Sequence, residues 1–286
     1  MHSNGLRTGS LAMLLLGALA PAAAAGPSAA VTPWVEAQAA RVRLLAGADA
    51  TQPGKALLAG VEITMAEGWK TYWRNPGEAG VPPSFDWSGS SNTASIKVAY
   101  PAPMRLVDPA AEMIGYKTSV LFPVEVTPKV PGEAVELRLA LEFAVCREIC
   151  IPAQASLALT VPAAPMAGAP APALAAALER VPRVQAERRD GDPKLLGVTP
   201  RLAGPAPSLE IEAKFAGDGA GADVFIEAPD GIFVPMAKKL ADDRKGRIRF
   251  VVDLARGGNA EELKGKELIV TLVSDSGASE ASVRLD

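Results

Sequence analysis

Three observations predict an all-β fold arranged as two antiparallel β-sandwiches. Short segments of strict apolar–polar alternation recur along most of the chain. Pro and Gly, 25 and 26 of 286 residues, punctuate those segments, and one Ala/Pro-rich stretch divides the series in two. Alternation of period two marks a strand with one buried face. Many such strands without interleaved helices mark a sandwich.

Residues 1–25 read as a secretory signal peptide. Arg7 supplies the positive start, Leu11 to Leu19 the apolar run, and Ala22-Ala23-Ala24-Ala25 the small-residue cleavage sites. That run is too short to span a bilayer comfortably, and no later stretch reaches the roughly 20 apolar residues a spanning helix needs. The expectation is a soluble exported protein with no integral membrane segment in its mature form.

Residues 26–162 carry the first strand series. Alternation is visible in Arg41-Val42-Arg43-Leu44, in Val61-Glu62-Ile63-Thr64-Met65 and in Val120-Leu121-Phe122-Pro123-Val124-Glu125-Val126. The clearest run is Val135 to Phe143, apolar at every odd position. Turns are signalled at Asn75-Pro76-Gly77, Val81-Pro82-Pro83, Pro101-Ala102-Pro103 and Pro131-Gly132. Residues 163–194 then read as an Ala/Pro-rich linker with a short helix near Ala173–Arg180, ending in Gly191-Asp192-Pro193. From 195 to 286 the strands resume, at Leu209–Phe215, Ala222–Glu227, Arg247–Val252, Glu267–Val273 and Ala281–Leu285. This second, smaller sandwich holds no Cys or His, so it is expected to orient or bind rather than react.

Charge and residue inventory narrow the chemistry. Lys plus Arg is 29 and Asp plus Glu is 32, a net charge of −3, and no basic cluster with interleaved aromatics is present. That excludes a nucleic-acid surface. The carboxylates form no paired arrangement of the glycosidase or metal-site kind. The single histidine, His2, falls in the leader, which removes imidazole triads, relays and His metal sites. Reactivity therefore falls to the only two cysteines, Cys146 and Cys150.

In a straight strand these two Cα atoms would lie about 13 Å apart. A disulfide needs them within about 7 Å. The segment must turn if they are joined, and strand-like residues on both sides place Arg147, Glu148 and Ile149 as the connecting loop. Export puts the pair in an oxidising compartment. Closing so small a loop stabilises by about 2 kcal/mol, against roughly 4 to 5 kcal/mol for one of about 100 residues. Such a pair suits opening and closing better than stapling. Arg147 favours a thiolate and Glu148 opposes it.

Three readings follow from spacing alone: a redox pair, a structural bridge within a binding or adaptor module, and a metal site. Two thiolates without further Cys or His ligands make a poor zinc site. A cuprous site could draw on Met65, Met104 and Met113, although methionines so scattered are more often core filler. The aromatic group Trp69, Tyr72, Trp73, Phe85 and Trp87 fits core and turn packing better than a partner groove. Arg74 with Glu78 fits a structural ion pair or a docking contact. Gly217-Asp218-Gly219-Ala220-Gly221 reads as a hairpin turn between two strands rather than a phosphate loop, since no helix pattern follows.

Several motifs, in order, carry a family resemblance. The run Gly68-Trp69-Lys70-Thr71-Tyr72-Trp73-Arg74-Asn75-Pro76-Gly77-Glu78-Ala79-Gly80 resembles the periplasmic N-terminal domain of the DsbD-type thiol:disulfide reductases, and more closely their ScsB-like, copper-sensitivity-suppressor branch. Ile114-Gly115-Tyr116, Leu121-Phe122-Pro123-Val124 and Cys146-Arg147-Glu148-Ile149-Cys150-Ile151-Pro152 continue the likeness, which covers about residues 34–161.

The resemblance implies an immunoglobulin-like domain in the periplasm. Its Cys146–Cys150 pair would accept electrons from a membrane-embedded DsbD/CcdA-type carrier and pass them to thioredoxin-fold proteins, with no cofactor. Cys150 is carried over as the site of mixed-disulfide formation and Cys146 as its resolving partner. A cap loop in the family shields the cysteines. The matching region here is about Arg105 to Lys117, with Met113, Ile114 and Tyr116 as candidate covers. Full-length relatives continue into a membrane domain and a thioredoxin-like domain, whereas this chain continues into a second β-rich region. Electrons are therefore expected to arrive from separate proteins, making the chain an oxidoreductase component without autonomous reductase activity.

Overall fold

A computed structural model describes Met1 and residues 30–47, 56–108, 111–163, 171–242, 245–257 and 260–286. The leader and His2 lie outside the described residues. The N-terminal series begins with β1 (Val35–Ala37), β2 (Ala40–Ala46), β3 (Leu57–Met65) and β4 (Lys70–Gly77). It continues with β5 (Ser84–Asp86), β6 (Thr93–Val98), β7 (Met104–Val107) and β8 (Glu112–Lys117). The longest strands close it: β9 (Ser119–Pro128), β10 (Val135–Cys146) and β11 (Cys150–Val161).

These strands form two antiparallel sheets, ordered β1-β2-β3-β9-β6 and β11-β10-β4-β8-β7, with β5 paired to β10. Strand β10 shows why. Val135, Leu137, Leu139, Leu141 and Phe143 are all buried, while Arg138, Ala140 and Glu142 face water, so one face enters the core and the other is wet. Phe122 of β9 sits at the centre, with the rings of Phe85, Tyr100 and Tyr116 edge-on to it at 5.3 to 5.5 Å.

The helix α1 (Ala171–Glu179) follows, within the stretch read as a linker. Ala and Leu give it strong helix propensity, and Leu174 and Ala177 are its buried positions, against β3 and β9. The C-terminal series comprises β12 (Arg183–Val184), β13 (Lys194–Arg201), β14 (Ser208–Lys214), β15 (Asp223–Glu227), β16 (Lys238–Asp242), β17 (Arg247–Asp253), β18 (Glu267–Ser274) and β19 (Gly277–Arg284). Its sheets run β12-β19-β18-β15 and β13-β14-β17-β16. Strand β12, inside the stretch read as a linker, pairs parallel with β19 and so belongs to this second pair of sheets.

The fold is all-β and immunoglobulin-like, as expected. One expectation is corrected. Residues 217–221 do not close a hairpin, because β14 and β15 belong to different sheets and the segment crosses between them. The two series also touch. Phe225 and Met236 of the C-terminal unit join the N-terminal core, with the Phe225 ring 6.0 Å from that of Trp73.

Candidate functional site

Strands β10 and β11 form one hairpin in continuous register from Val135 opposite Val161 to Cys146 opposite Cys150. The cysteines are its last pair, their Cα atoms 4.1 Å apart and their sulfurs bonded, with Arg147, Glu148 and Ile149 as the turn. The distance a straight strand would impose is thus removed by reversing the chain. The two sulfurs differ in setting. Cys146 is buried at 2% exposure, whereas Cys150 is an exposed residue at the start of the returning strand. Arg147 and Glu148 pair with each other at 3.8 Å in open solvent, so each offsets the other's effect on a thiolate.

The neighbouring strand β4 supplies the cover. Lys70 stands opposite Cys146, and the fully buried Tyr72 follows two residues on. The Tyr72 hydroxyl donates to Cys146 Sγ at 2.7 Å and lies 3.0 Å from Cys150 Sγ. It also reaches Met113 Sδ at 3.6 Å. Burial, and then the charge of Asp108, push the Tyr72 phenol above its ordinary value, so it keeps its proton and remains a donor. Tyr72, Leu106, Met113, Ala144 and Cys146 form an apolar cluster separate from the sandwich core. Thr71, turned the other way, donates to Ala144 O at 2.9 Å and ties β4 to β10. Lys70 is buried and forms an ion pair with Asp108, beyond the end of β7.

Two glycines make this cover fit. Gly80, at φ +121°, lies against the Tyr72 ring, where a Cβ would come within 2.4 Å of Cε1. Gly115 lets β8 approach β4, since a Cβ there would sit 2.1 Å from Thr71 O.

Of the three residues expected to cover the cysteines, Met113 alone lies with them. Ile114 and Tyr116 instead join the sandwich core, and Tyr116 donates to Pro101 O at 2.8 Å. The reason is strand alternation. Residues 112–117 form β8, so Met113 and Ile114 point to opposite faces. The residue that sequence reasoning missed is Tyr72, grouped there with aromatic packing. Trp69, Trp73, Phe85 and Trp87 do pack in or against the core, but Tyr72 turns to the sulfurs. The expected Arg74–Glu78 pair is also corrected. Arg74 binds Glu227 and Glu280 of the C-terminal unit, and the Glu78 carboxylate accepts the Glu112 amide at 3.0 Å.

Of the methionines weighed as soft ligands, Met65 belongs to the main core and Met104 is exposed on β7, leaving Met113 alone beside the pair. Among the described residues, no three Cys, His, Asp or Glu side chains are grouped to hold a metal ion, and no helix is long and apolar enough to cross a membrane.

With the cysteine hairpin, the β4 cover and the sandwich in view, the family model for the N-terminal part of thiol:disulfide interchange protein DsbD matches residues 41–162. Those residues are a DsbD-type N-terminal domain. The DsbD-type domain thus spans β2 to β11 and includes Tyr72, Met113 and both cysteines. The crystal structure of the N-terminal periplasmic domain of ScsB from Proteus mirabilis is similar to most of the chain. Its TM-score is 0.69 at 23% sequence identity, with 90% of this chain and 99% of that chain covered. That likeness is one of fold, and it extends beyond the DsbD-type domain into the C-terminal unit. No curated protein sequence matches the chain.

Proposed function

We propose that this protein is a periplasmic thiol:disulfide exchange module that relays electrons through Cys146 and Cys150, between a membrane-embedded carrier of the DsbD/CcdA type and thioredoxin-fold proteins. In this reading, residues 1–25 direct export, residues 26–162 react, and residues 195–286, with β12 before them, form a second domain packed on the first. The observation that carries the proposal is the disulfide at a hairpin tip with one cysteine exposed, one buried, and a phenol donating to the sulfur of the buried one. The DsbD-type character of residues 41–162 supports it.

The steps balance. A donor thiolate attacks Cys150 Sγ, the more exposed end, forming a mixed disulfide while the Cys146–Cys150 bond breaks. Cys146 leaves as a thiolate, and its new charge falls 2.7 Å from the Tyr72 hydroxyl already aimed at it. A second donor thiolate then attacks the mixed disulfide and releases Cys150 as a thiolate. The donor pair is oxidised, Cys146 and Cys150 are reduced, and two electrons have moved. The same steps in reverse hand them to the disulfide of a thioredoxin-fold acceptor. Tyr72 acts on the leaving group, since a sulfur whose thiolate is stabilised departs faster.

Single cysteine variants test the reading. In Cys146→Ser the exposed Cys150 lacks its resolving partner and is expected to trap a thioredoxin-fold protein from periplasmic extract as a reductant-sensitive adduct. Cys150→Ser, left with the buried thiol, should trap far less. If neither variant traps such a protein and the pair has a reduction potential well below about −300 mV, the disulfide is an inert staple and the relay is wrong.

A further inference from the structure

We propose that the C-terminal unit is a positioning element for the disulfide, acting through Arg74 and Arg105. The inference rests on the redox reading and adds a role for residues that carry no reactive group. Strand β15 alternates cleanly. Val224 and Ile226 enter the core of the C-terminal unit, while Asp223, Phe225 and Glu227 face the N-terminal unit. Each of those three meets a residue beside the sulfur cover.

Glu227 accepts from Arg74 Nη2 at 2.6 Å and from Arg74 Nε at 3.0 Å, and Glu280 of β19 pairs with the same guanidinium. Burial works against the Arg74 charge, and Glu227 and then Glu280 more than offset it, holding the guanidinium above its ordinary value. Arg74 lies two residues from Tyr72. Between them Trp73 packs on Phe225, and the next residue, Asn75, donates to Ile226 O at 3.3 Å.

Asp223 accepts from Arg105 Nη2 at 2.7 Å and from Arg105 Nε at 3.0 Å. Arg105 also donates to Ala237 O at 2.9 Å and to Glu112 at 3.1 Å. It therefore holds β7 and β8 together at one point of the C-terminal unit. Leu106 and Met113, the next residues along those two strands, belong to the cluster around Tyr72 and Cys146.

The selectivity of these contacts is the argument. Within one five-residue strand, Asp223, Phe225 and Glu227 grip β7, Trp73 and β4, the strands whose next or second-next residues surround the sulfurs. The charged partners are only 16 to 29% exposed, so salt screens them less than surface pairs. Fixing β4 relative to β7 and β8 fixes where the Tyr72 hydroxyl and the Met113 thioether sit against the disulfide.

The test uses the full chain with Asp223→Asn, Glu227→Gln and the double variant, none of which touches the sulfurs. The readouts are the rate of disulfide reduction by dithiothreitol and the reduction potential. Dithiothreitol donates two electrons and closes to its cyclic disulfide. The double variant is expected to be reduced three- to tenfold more slowly than wild type, because the Tyr72 hydroxyl is no longer held against the leaving Cys146 sulfur, with each single variant in between. Glu210→Gln, which removes the distant ion pair with Arg201, should stay within twofold of wild type.

A purely structural role lowers the melting temperature and leaves both readouts alone. A folded double variant whose reduction rate and potential match wild type therefore overturns the proposal. Should the double variant fail to fold, the exchanged pair Arg105→Asp/Asp223→Arg serves instead. There, recovery of the wild-type rate from the slow rate of Asp223→Arg alone is the supporting result, and equal rates for both overturn it. Failure of the relay is separately visible: trapping by Cys146→Ser would be absent while the dithiothreitol rates still responded to Asp223 and Glu227.

Discussion

Removing the Tyr72 hydroxyl isolates the contribution of one hydrogen bond to sulfur chemistry. Tyr72→Phe keeps the ring among Leu106, Met113 and Ala144 and deletes only the group 2.7 Å from Cys146 Sγ. In the oxidised protein the hydroxyl meets neutral sulfurs, a bond worth about 1 kcal/mol or less. After reduction it meets a thiolate, and a hydrogen bond to a charged group is worth roughly 1.5 to 3 kcal/mol. The difference, about 1 to 2 kcal/mol, is stabilisation that exists only in the reduced, ionised state. At 1.36 kcal/mol per pKa unit, the Cys146 thiol of Tyr72→Phe should titrate about one unit higher. Reduction by dithiothreitol should slow about tenfold as the leaving thiolate loses its donor. Where Cys146 is ionised, the potential should fall by roughly 30 mV, since 30 mV is about 1.4 kcal/mol for a two-electron couple. The gap between variant and wild type should widen with pH, because a protonated thiol gains little from the donor. Burial keeps the Tyr72 proton in place across that range. Thiolate absorbance against pH, together with stopped-flow reduction, measures both quantities. An unmoved Cys146 titration with a reduction rate within twofold of wild type would show that the hydroxyl does not act on the leaving sulfur.

Two further outcomes follow from the packing around the site. Gly115→Ala places a Cβ against the Thr71 carbonyl, which is backbone and cannot rotate away, so β4 and β8 must part. A loss of about 1 to 3 kcal/mol in urea unfolding is expected, together with slower reduction by dithiothreitol as Tyr72 moves off the Cys146 sulfur. Tyr116 is pushed well above its ordinary value, first by burial and then by neighbouring Tyr100. The unfolded chain therefore loses this proton near pH 10 while the folded chain keeps it, and stability falls as pH rises above that point. The expected slope is about 1.4 kcal/mol per pH unit for this one group. Tyr116→Phe should remove that part of the alkaline slope in pH-dependent denaturation, despite losing its bond to Pro101 O.

What the sequence made legible was local. Alternation over Val135–Phe143 and Glu267–Val273 marks strands because every second residue enters a core, a pattern contained in a few neighbouring positions. The hairpin at Cys146 and Cys150 was legible for the same reason. Strand β13 and strand β16 left no such mark, being sheet edges, and β13 buries only Leu195 along its length. Tyr72 could not be found this way. Its partner sulfur is 74 residues distant, and only the placement of β4 beside β10 brings them together. Arg74 and Glu227 are 153 residues apart and equally silent. The motif from Gly68 to Gly80 carries a family resemblance strong enough to read without knowing any of these contacts, and the structure gives that density a physical cause. Lys70 pairs with Asp108, Thr71 with the Ala144 carbonyl, Tyr72 with the sulfurs, Trp73 with the core and Phe225, and Arg74 and Asn75 with the C-terminal unit. Six consecutive residues thus answer to different partners, so neither a shift of register nor a swap between neighbours leaves the redox site, the core and the contact between units intact together.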